Sequence, residues 1–321
     1  MRMIDASAID TALTMPMLVD VLDRAFRDGA IAPPRHHHAV PLGPTRPQAT
    51  WLLMPAIESA PGQPNVAGRY MGMKSVTVFP DNGTRGKPAI FGMYLLLSTE
   101  TGETLAILDA TRLTLWRTAA ASALASRYLS RPDSQHLVML GAGALAPFVI
   151  RAHAAVRPIR RVTIWNRKVE NARRVAAAVA GLNLDVTVTE DRDQAVGQAD
   201  IVSAATMSPE PLIMGRLLKP GTHVDCMGAY NKAMRETDDD VVRRASLFAD
   251  TMAGAFGEAG DFLQPIAAGV IPKEKIKGDL YALARGQIGG RASADEITFF
   301  KSVGASIEDL AAAVAVYEAT G

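Results

Sequence analysis

The chain has little cysteine: one residue, Cys226, in 321. It therefore has no intramolecular disulfide and no metal cluster built on thiolates, which fits a reducing compartment. Alone, Cys226 reads as a small core hydrophobe. Excess charge is lacking too. A formal net charge of +1 argues against a nucleic-acid footprint or a polybasic membrane anchor. No apolar run reaches the roughly 18 residues a membrane span needs. The N-terminal stretch MRMIDASAIDTALTMPMLVDVLDRAF is amphipathic and carries acids, unlike a signal peptide. These absences together predict a soluble, cytoplasmic protein. Internal repeats and low-complexity tracts are also missing. The alanine runs Ala119–Ala121, Ala176–Ala178 and Ala311–Ala313 are good helix formers and predict closely packed helices.

What is present suffices for two domains. Hydrophobic residues make up 48% of the chain, enough for sizeable cores. Asp5-Ala-Ser7 can cap an early helix, and Met15–Arg27 reads as another. Residues 31–47 are Pro-rich and extended. Strand-like runs follow at Thr50–Ala56, Tyr70–Phe79, Ala89–Ser98 and Thr104–Leu108, separated by turn residues. They predict a mostly antiparallel sheet. A long helix over Thr111–Leu129 then leads into a different pattern. Strands at Leu137–Leu140, Arg161–Trp165, Leu184–Thr189, Ile201–Ala204, His223–Met227 and Leu247–Asp250 alternate with helices such as Val169–Ala180 and Met234–Arg244. That alternation predicts a parallel, doubly wound sheet. Residues from about 294 onward, including Ser306–Thr320, read as C-terminal helices. The expected fold is thus α/β: a Rossmann domain over 121–299, and an α+β sheet domain over 1–120 joined by the C-terminal helix at about 300–321.

The most informative segment is 136–167. An apolar strand runs into Gly141-Ala-Gly143-Ala-Leu-Ala146, a helix-length stretch follows, and a second strand ends at Asn166-Arg167. This is the front of a dinucleotide-binding βαβ unit. Gly141 permits the tight turn, Gly143 lets backbone approach a pyrophosphate, and Ala146 lets the helix sit close to the strand. The helix start offers N–H groups to phosphate. A bare strand–helix turn is the plainer alternative. At the end of the second strand, an NAD site usually has an acid that accepts from the ribose 2′-hydroxyl. Here stand Asn166, Arg167 and Lys168, which would attract a 2′-phosphate instead. NADPH is expected over NADH, although an Arg-Lys pair can also be merely solvated.

Three cations of the first half stand out. Arg35 follows Pro33-Pro34, Lys74 lies in the strand YMGMKSVTVF, and Arg117 lies in an otherwise apolar helix. A cation among apolar residues is costly unless it is paired or binds an anion. Together, opposite a nicotinamide, they suggest a clamp for a carboxylate. No metal is expected. His36-His37-His38 alternate direction in an extended chain, without other ligands at metal spacing, and Asp238-Asp239-Asp240 reads as a helix start.

The chain resembles the ornithine cyclodeaminase/mu-crystallin family from about residue 30 to 315. The matching stretches include Gly72-Met-Lys74-Ser-Val-Thr-Val-Phe-Pro80-Asp-Asn82, Thr114-Leu-Trp-Arg117-Thr118-Ala119-Ala120 and Ile164-Trp-Asn166-Arg167. Met227-Gly228-Ala229, Arg235-Glu236 and Phe300-Lys301-Ser302-Val303-Gly304 match as well. The resemblance implies a homodimer contacting through the N-terminal sheet domain, and a Rossmann domain holding NAD or NADP. It implies that Arg35, Lys74 and Arg117 hold a substrate carboxylate, and that Thr118, Thr206, Met227 and Ser302 lie near the cofactor. One departure stands out. Cyclodeaminases place an aspartate after the fifth strand, and here Tyr230 falls at that position. A second register, through Asp225, needs an insertion and leaves Asp225 inside the strand. Without that carboxylate the lyase lacks its acid/base group.

The expectation is therefore an NADPH-dependent reductase of cyclic imino acids, with Lys74, Arg117 and Tyr230 at the reacting centre. Δ1-Pyrroline-2-carboxylate and Δ1-piperideine-2-carboxylate would give proline and pipecolate. The rivals are an ammonia-releasing cyclodeaminase, an alanine- or N-alkyl-amino-acid dehydrogenase, and a crystallin-like protein that binds NADPH without catalysis.

Overall fold

A computed structural model describes residues 1–321. The chain runs β1 (Arg2–Ile4), α1 (Ala6–Ala12), α2 (Met15–Asp28), β2 (Ala30–Ile31), β3 (His36–Val40), β4 (Ala49–Ala60), β5 (Gln63–Val78), β6 (Ile90–Ser98), β7 (Thr104–Asp109) and α3 (Ala110–Leu129). It continues through β8 (His136–Leu140), α4 (Ala146–Val156), β9 (Arg161–Trp165), α5 (Val169–Ala178), β10 (Asp185–Thr189), α6 (Arg192–Gln198), β11 (Ile201–Ala204) and β12 (His223–Cys226). Then come α7 (Asp239–Arg244), β13 (Ser246–Ala249), α8 (Met252–Glu258), α9 (Gly260–Ala267), β14 (Ile276–Asp279), α10 (Leu280–Ala284), β15 (Thr298–Lys301) and α11 (Ser306–Ala319). Two compact units result: Met1–Arg117 with Ser306–Gly321, and Thr118–Ala305.

In the first unit the strand order is β1-β7-β6-β5-β4-β2, with β3 also pairing β4, and every pairing except β1·β7 is antiparallel. Alternation decides its two faces. Met54, Ala56, Gly72, Lys74, Val76, Tyr94 and Leu96 are buried, and α11 packs on β4, β5, β6 and α2. The alternating residues point to the other face, where most are partly exposed and Trp51, Phe91 and Met93 are exposed.

The second unit is an all-parallel sheet of order β10-β9-β8-β11-β12-β15-β13-β14. Its first five strands follow the doubly wound order, with the switch point between β8 and β11, where such sheets take ligands. Strands β8, β11 and β12 are buried throughout, as a sheet covered on both faces requires.

Two expected elements differ. The helix predicted over Met234–Arg244 begins only at Asp239, because the Asp238 side chain caps it by accepting from the Val241 amide. The residues before it are tied up elsewhere, with the Glu236 and Thr237 amides donating to Asp261. The stretch after 294, expected to be helical, first forms strand β15, whose run Thr-Phe-Phe-Lys is buried between β12 and β13. No helix is long and apolar enough to cross a membrane.

Candidate functional site

In the second unit the chain leaves β8 through Gly141 at φ +101°, a left-handed conformation that suits glycine. Space reinforces the choice: a Cβ there would come 2.7 Å from the Ala205 carbonyl oxygen. At Gly143 a Cβ would meet nothing within 4 Å, so this backbone faces open space. Helix α4 begins at Ala146 without a side-chain cap, but its first turn does not offer the free N–H groups expected: Pro147 has none, and the Ala146, Phe148 and Val149 amides donate to the Gly143 and Leu145 carbonyls. The cleft beside the switch point measures about 350 Å³. It gathers Gly141, Gly143, Asn166, Arg167 and Thr206, with Trp165 and Asn171 also in its wall. These residues fit a dinucleotide: an open glycine edge and a cation at the end of β9. Lys168, exposed at the start of α5, lies just outside the lining.

The other expected cofactor residues are placed differently. Ala146 is buried and its amide donates to the Gly143 carbonyl. Thr118 is nearly buried on α3. The Met227 sulfur accepts from the Ser122 hydroxyl, and the Ser302 hydroxyl donates to Asp250.

A carboxylate that the sequence marked only as part of a family match, with no role, ties the cleft together. Glu236, fully buried, accepts from the Thr206 amide and hydroxyl at 2.8 Å each. It also accepts from the amides of Gly228 and Ala229 at 2.9 and 3.1 Å. One side chain thus joins the loops that follow β11 and β12. Those loops touch so closely that a Cβ on Gly228 would collide with the Thr206 backbone. Lys301 balances the cluster, 3.0 Å from Asp261 and 3.5 Å from Glu236. Burial pushes the Glu236 carboxyl up, opposed by Lys301.

Asp225 and Tyr230 separate clearly. Asp225 is fully buried within β12. It accepts from Ser122 and Ser203 hydroxyls at 3.0 and 2.7 Å and lies 3.1 Å from His153 Nε2. Its oxygens are therefore spent on core contacts. Tyr230 is half-buried beyond the strand, and desolvation raises its phenol above the usual range.

The first unit collects charge on the covered face of its sheet. Lys74, 2% exposed, sits across from Tyr94 in the β5·β6 register. Its ammonium meets Asp309 at 2.7 and 2.9 Å. Arg117 Nη1 meets Glu308 at 2.6 Å, and its Nε lies 3.0 Å from Asp309. Both acids are fully buried on α11. Two of the three expected clamp cations thus stand together, and each has an anionic partner within the fold. Arg35, half-exposed ahead of β3, is near enough to act electrostatically on Lys74. Burial lowers the Lys74 ammonium to about 8, helped by Arg117 and opposed by Asp309. The Tyr94 hydroxyl is buried with no hydrogen-bond partner, and burial raises it well above its ordinary value. It fills the space over Gly72, where a Cβ would come 2.5 Å from it.

Glu308 and Asp309 escaped the sequence reading, although the signal that marked Lys74 and Arg117 applies to them. They are two charges in the apolar helix SIEDLAAAVAVYEA.

The profile of the ornithine cyclodeaminase/mu-crystallin family matches residues 2–321. A Δ(1)-pyrroline-2-carboxylate reductase of Paracoccus denitrificans is 40% identical over 287 residues, covering 89% of this chain and 88% of that protein. The protein of that name from Colwellia psychrerythraea is 35% identical, covering 99% of each chain. Among solved structures, Thermococcus litoralis Δ(1)-pyrroline-2-carboxylate reductase in complex with NADH and L-proline superposes with a TM-score of 0.92 at 30% identity, covering 100% of this chain and 97% of that one. The chain is a member of the ornithine cyclodeaminase/mu-crystallin family.

Proposed function

We propose that the chain is a nicotinamide-dependent reductase of cyclic imino acids, converting Δ1-pyrroline-2-carboxylate or Δ1-piperideine-2-carboxylate into proline or pipecolate. The reductase names and the bound NADH and proline of its relatives support this activity. The observation that carries it against the lyase alternative is the state of Asp225. Its carboxylate is buried within β12 and bonded to Ser122 and Ser203. Tyr230, the other candidate for the lyase position, is no base at neutral pH, since burial raises its phenol further.

Each unit has its share of the work. In the second, the turn at Gly141 and Gly143 takes the pyrophosphate, while Asn166, Arg167 and Lys168 favour a 2′-phosphate and hence NADPH. The bound nicotinamide supplies the hydride. In the first, Arg35, Lys74 and Arg117 hold the substrate carboxylate. A fixed carboxylate orients the C=N carbon, and orientation alone is worth up to roughly 7–11 kcal/mol of the barrier. Lys74 also carries a proton that the ring nitrogen needs. Tyr230 lines the ring.

The reading includes a homodimer. Trp51, Phe91 and Met93 are 42%, 45% and 54% exposed on one face of the first unit's sheet, an apolar patch suited to a second copy. The test is direct. Purified protein is mixed with NADPH and each cyclic imine, and beside it with ornithine and NAD. Loss of reduced cofactor with matching proline or pipecolate supports the reductase. Ammonia from ornithine with no net cofactor change refutes it.

A further inference from the structure

Lys74 is sunk in the first unit, and the groups facing its ammonium come from several elements. Asp309 on α11 approaches with both oxygens, at 2.7 and 2.9 Å. Arg117 on α3, Tyr94 on β6 and Arg35 ahead of β3 complete the charged and titratable surroundings, and the β4 residue opposite Lys74 is Met54. Glu308 bonds Arg117 at 2.6 Å. The two arginines work to drive a proton off Lys74, and Asp309 works to keep it. Asp309 is also shared with Arg117 Nε at 3.0 Å, so it fixes the spacing of the two cations.

We infer that Asp309 is a positioning residue for proton delivery: it keeps Lys74 charged and oriented so that Lys74 protonates the ring nitrogen of the imine. This rests on the reductase reading above. As C2 accepts the hydride, the C=N π pair moves onto nitrogen and takes a proton from the Lys74 ammonium. The Lys74 N–H pair stays on Nζ, which regains a proton from water after product leaves. The imine is reduced by two electrons, the nicotinamide is oxidised by two, and one proton is consumed.

The test is kcat/KM against pH, which reports groups of the free enzyme, with Δ1-piperideine-2-carboxylate and NADPH, for the wild type and Asp309→Asn. The ammonium exists below its pKa, so activity is held at lower pH and lost as pH rises through it. In the wild type that alkaline limb is expected at about 8. An opposite charge this close shifts a pKa by ~1–3 units, so the limb falls by that amount in Asp309→Asn. Activity then drops roughly fivefold or more near pH 8 and recovers as the medium is acidified. A merely structural Asp309 gives no such recovery. Glu308→Gln, which acts through Arg117, moves the limb less.

A limb unmoved in Asp309→Asn, or a loss that acid does not reverse, overturns the inference. Asp309→Glu serves if asparagine prevents folding: a smaller downward shift with acid recovery supports the assignment, and an unmoved limb overturns it. A carbon-13 titration of Lys74 Cε without substrate separates the two claims. If no imine turns over in the wild type, the reductase reading falls. A Lys74 titration lowered by the Asp309 change still supports the pairing, and an equal titration ends it.

Discussion

Arg117→Ala tests packing and function together. Arg117 is 7% exposed at its side chain and holds Glu308 at 2.6 Å and Asp309 at 3.0 Å, both fully buried. Removing the guanidinium takes from the buried Glu308 the cation 2.6 Å away, whereas Asp309 keeps Lys74. Breaking a buried pair from one side costs about 3–5 kcal/mol. For a unit of this size each kcal/mol is worth roughly 2–4 °C, so the melting temperature should fall by about 6–20 °C. Activity should suffer separately. A charge-assisted hydrogen bond to the substrate carboxylate is worth about 1.5–3 kcal/mol, or roughly 10- to 100-fold in kcat/KM. NADPH affinity, which belongs to the second unit's cleft, should be unchanged. The double variant Arg117→Ala/Glu308→Gln separates the effects: part of the lost melting temperature returns, and kcat/KM does not. Calorimetry, steady-state kinetics and cofactor fluorescence read these three quantities. An Arg117→Ala protein with wild-type melting and wild-type kcat/KM would refute the reasoning.

Other outcomes follow from the same geometry. Arg167→Ala is expected to weaken NADPH by roughly tenfold or more while NADH binding barely changes, because the lost contact is to the 2′-phosphate; fluorescence titration with both cofactors decides, and an unchanged preference contradicts the assignment. Gly228→Ala pushes a methyl into the Thr206 backbone. It should cost about 1–3 kcal/mol or more and loosen NADPH, and a variant with normal melting and affinity would show that the loops do not need to touch. Met93→Asp places a charge in the exposed patch on the open sheet face. Light scattering should then show monomers, and an undisturbed dimer would move the contact elsewhere.

Much of the fold was legible because periodicity carries it. The strands Arg161–Trp165 and Ile201–Ala204 fall where alternation and turn residues put them. The glycine turn at Gly141 was legible because only a few residue types tolerate its left-handed backbone. Long-range pairing was harder to read. Strand β15 looked like the start of the C-terminal helices because its four residues carry no period of their own; neighbours β12 and β13 make it a strand. The helix ahead of Asp239 was overextended because the bonds from Glu236 and Thr237 to Asp261 bridge residues far apart in sequence. At the candidate site, Lys74 and Arg117 stood out as cations in apolar runs. Their partners were harder to see, since Glu308 and Asp309 lie about 190 to 235 positions along the chain from them. Glu236 stood out only as part of the family match Arg235-Glu236, inside the run expected to be the Met234–Arg244 helix. Its role appears once two loops converge on it.

The most direct measurement follows the label. NADPH carrying deuterium at both positions of nicotinamide C4 is incubated with Δ1-pyrroline-2-carboxylate, and the amino acid formed is analysed by mass spectrometry and NMR. Deuterium at C2 of proline, one atom per cofactor oxidised, is the predicted result. Proline without the label, or no oxidation of cofactor while ornithine yields ammonia, would contradict hydride transfer to the imine carbon.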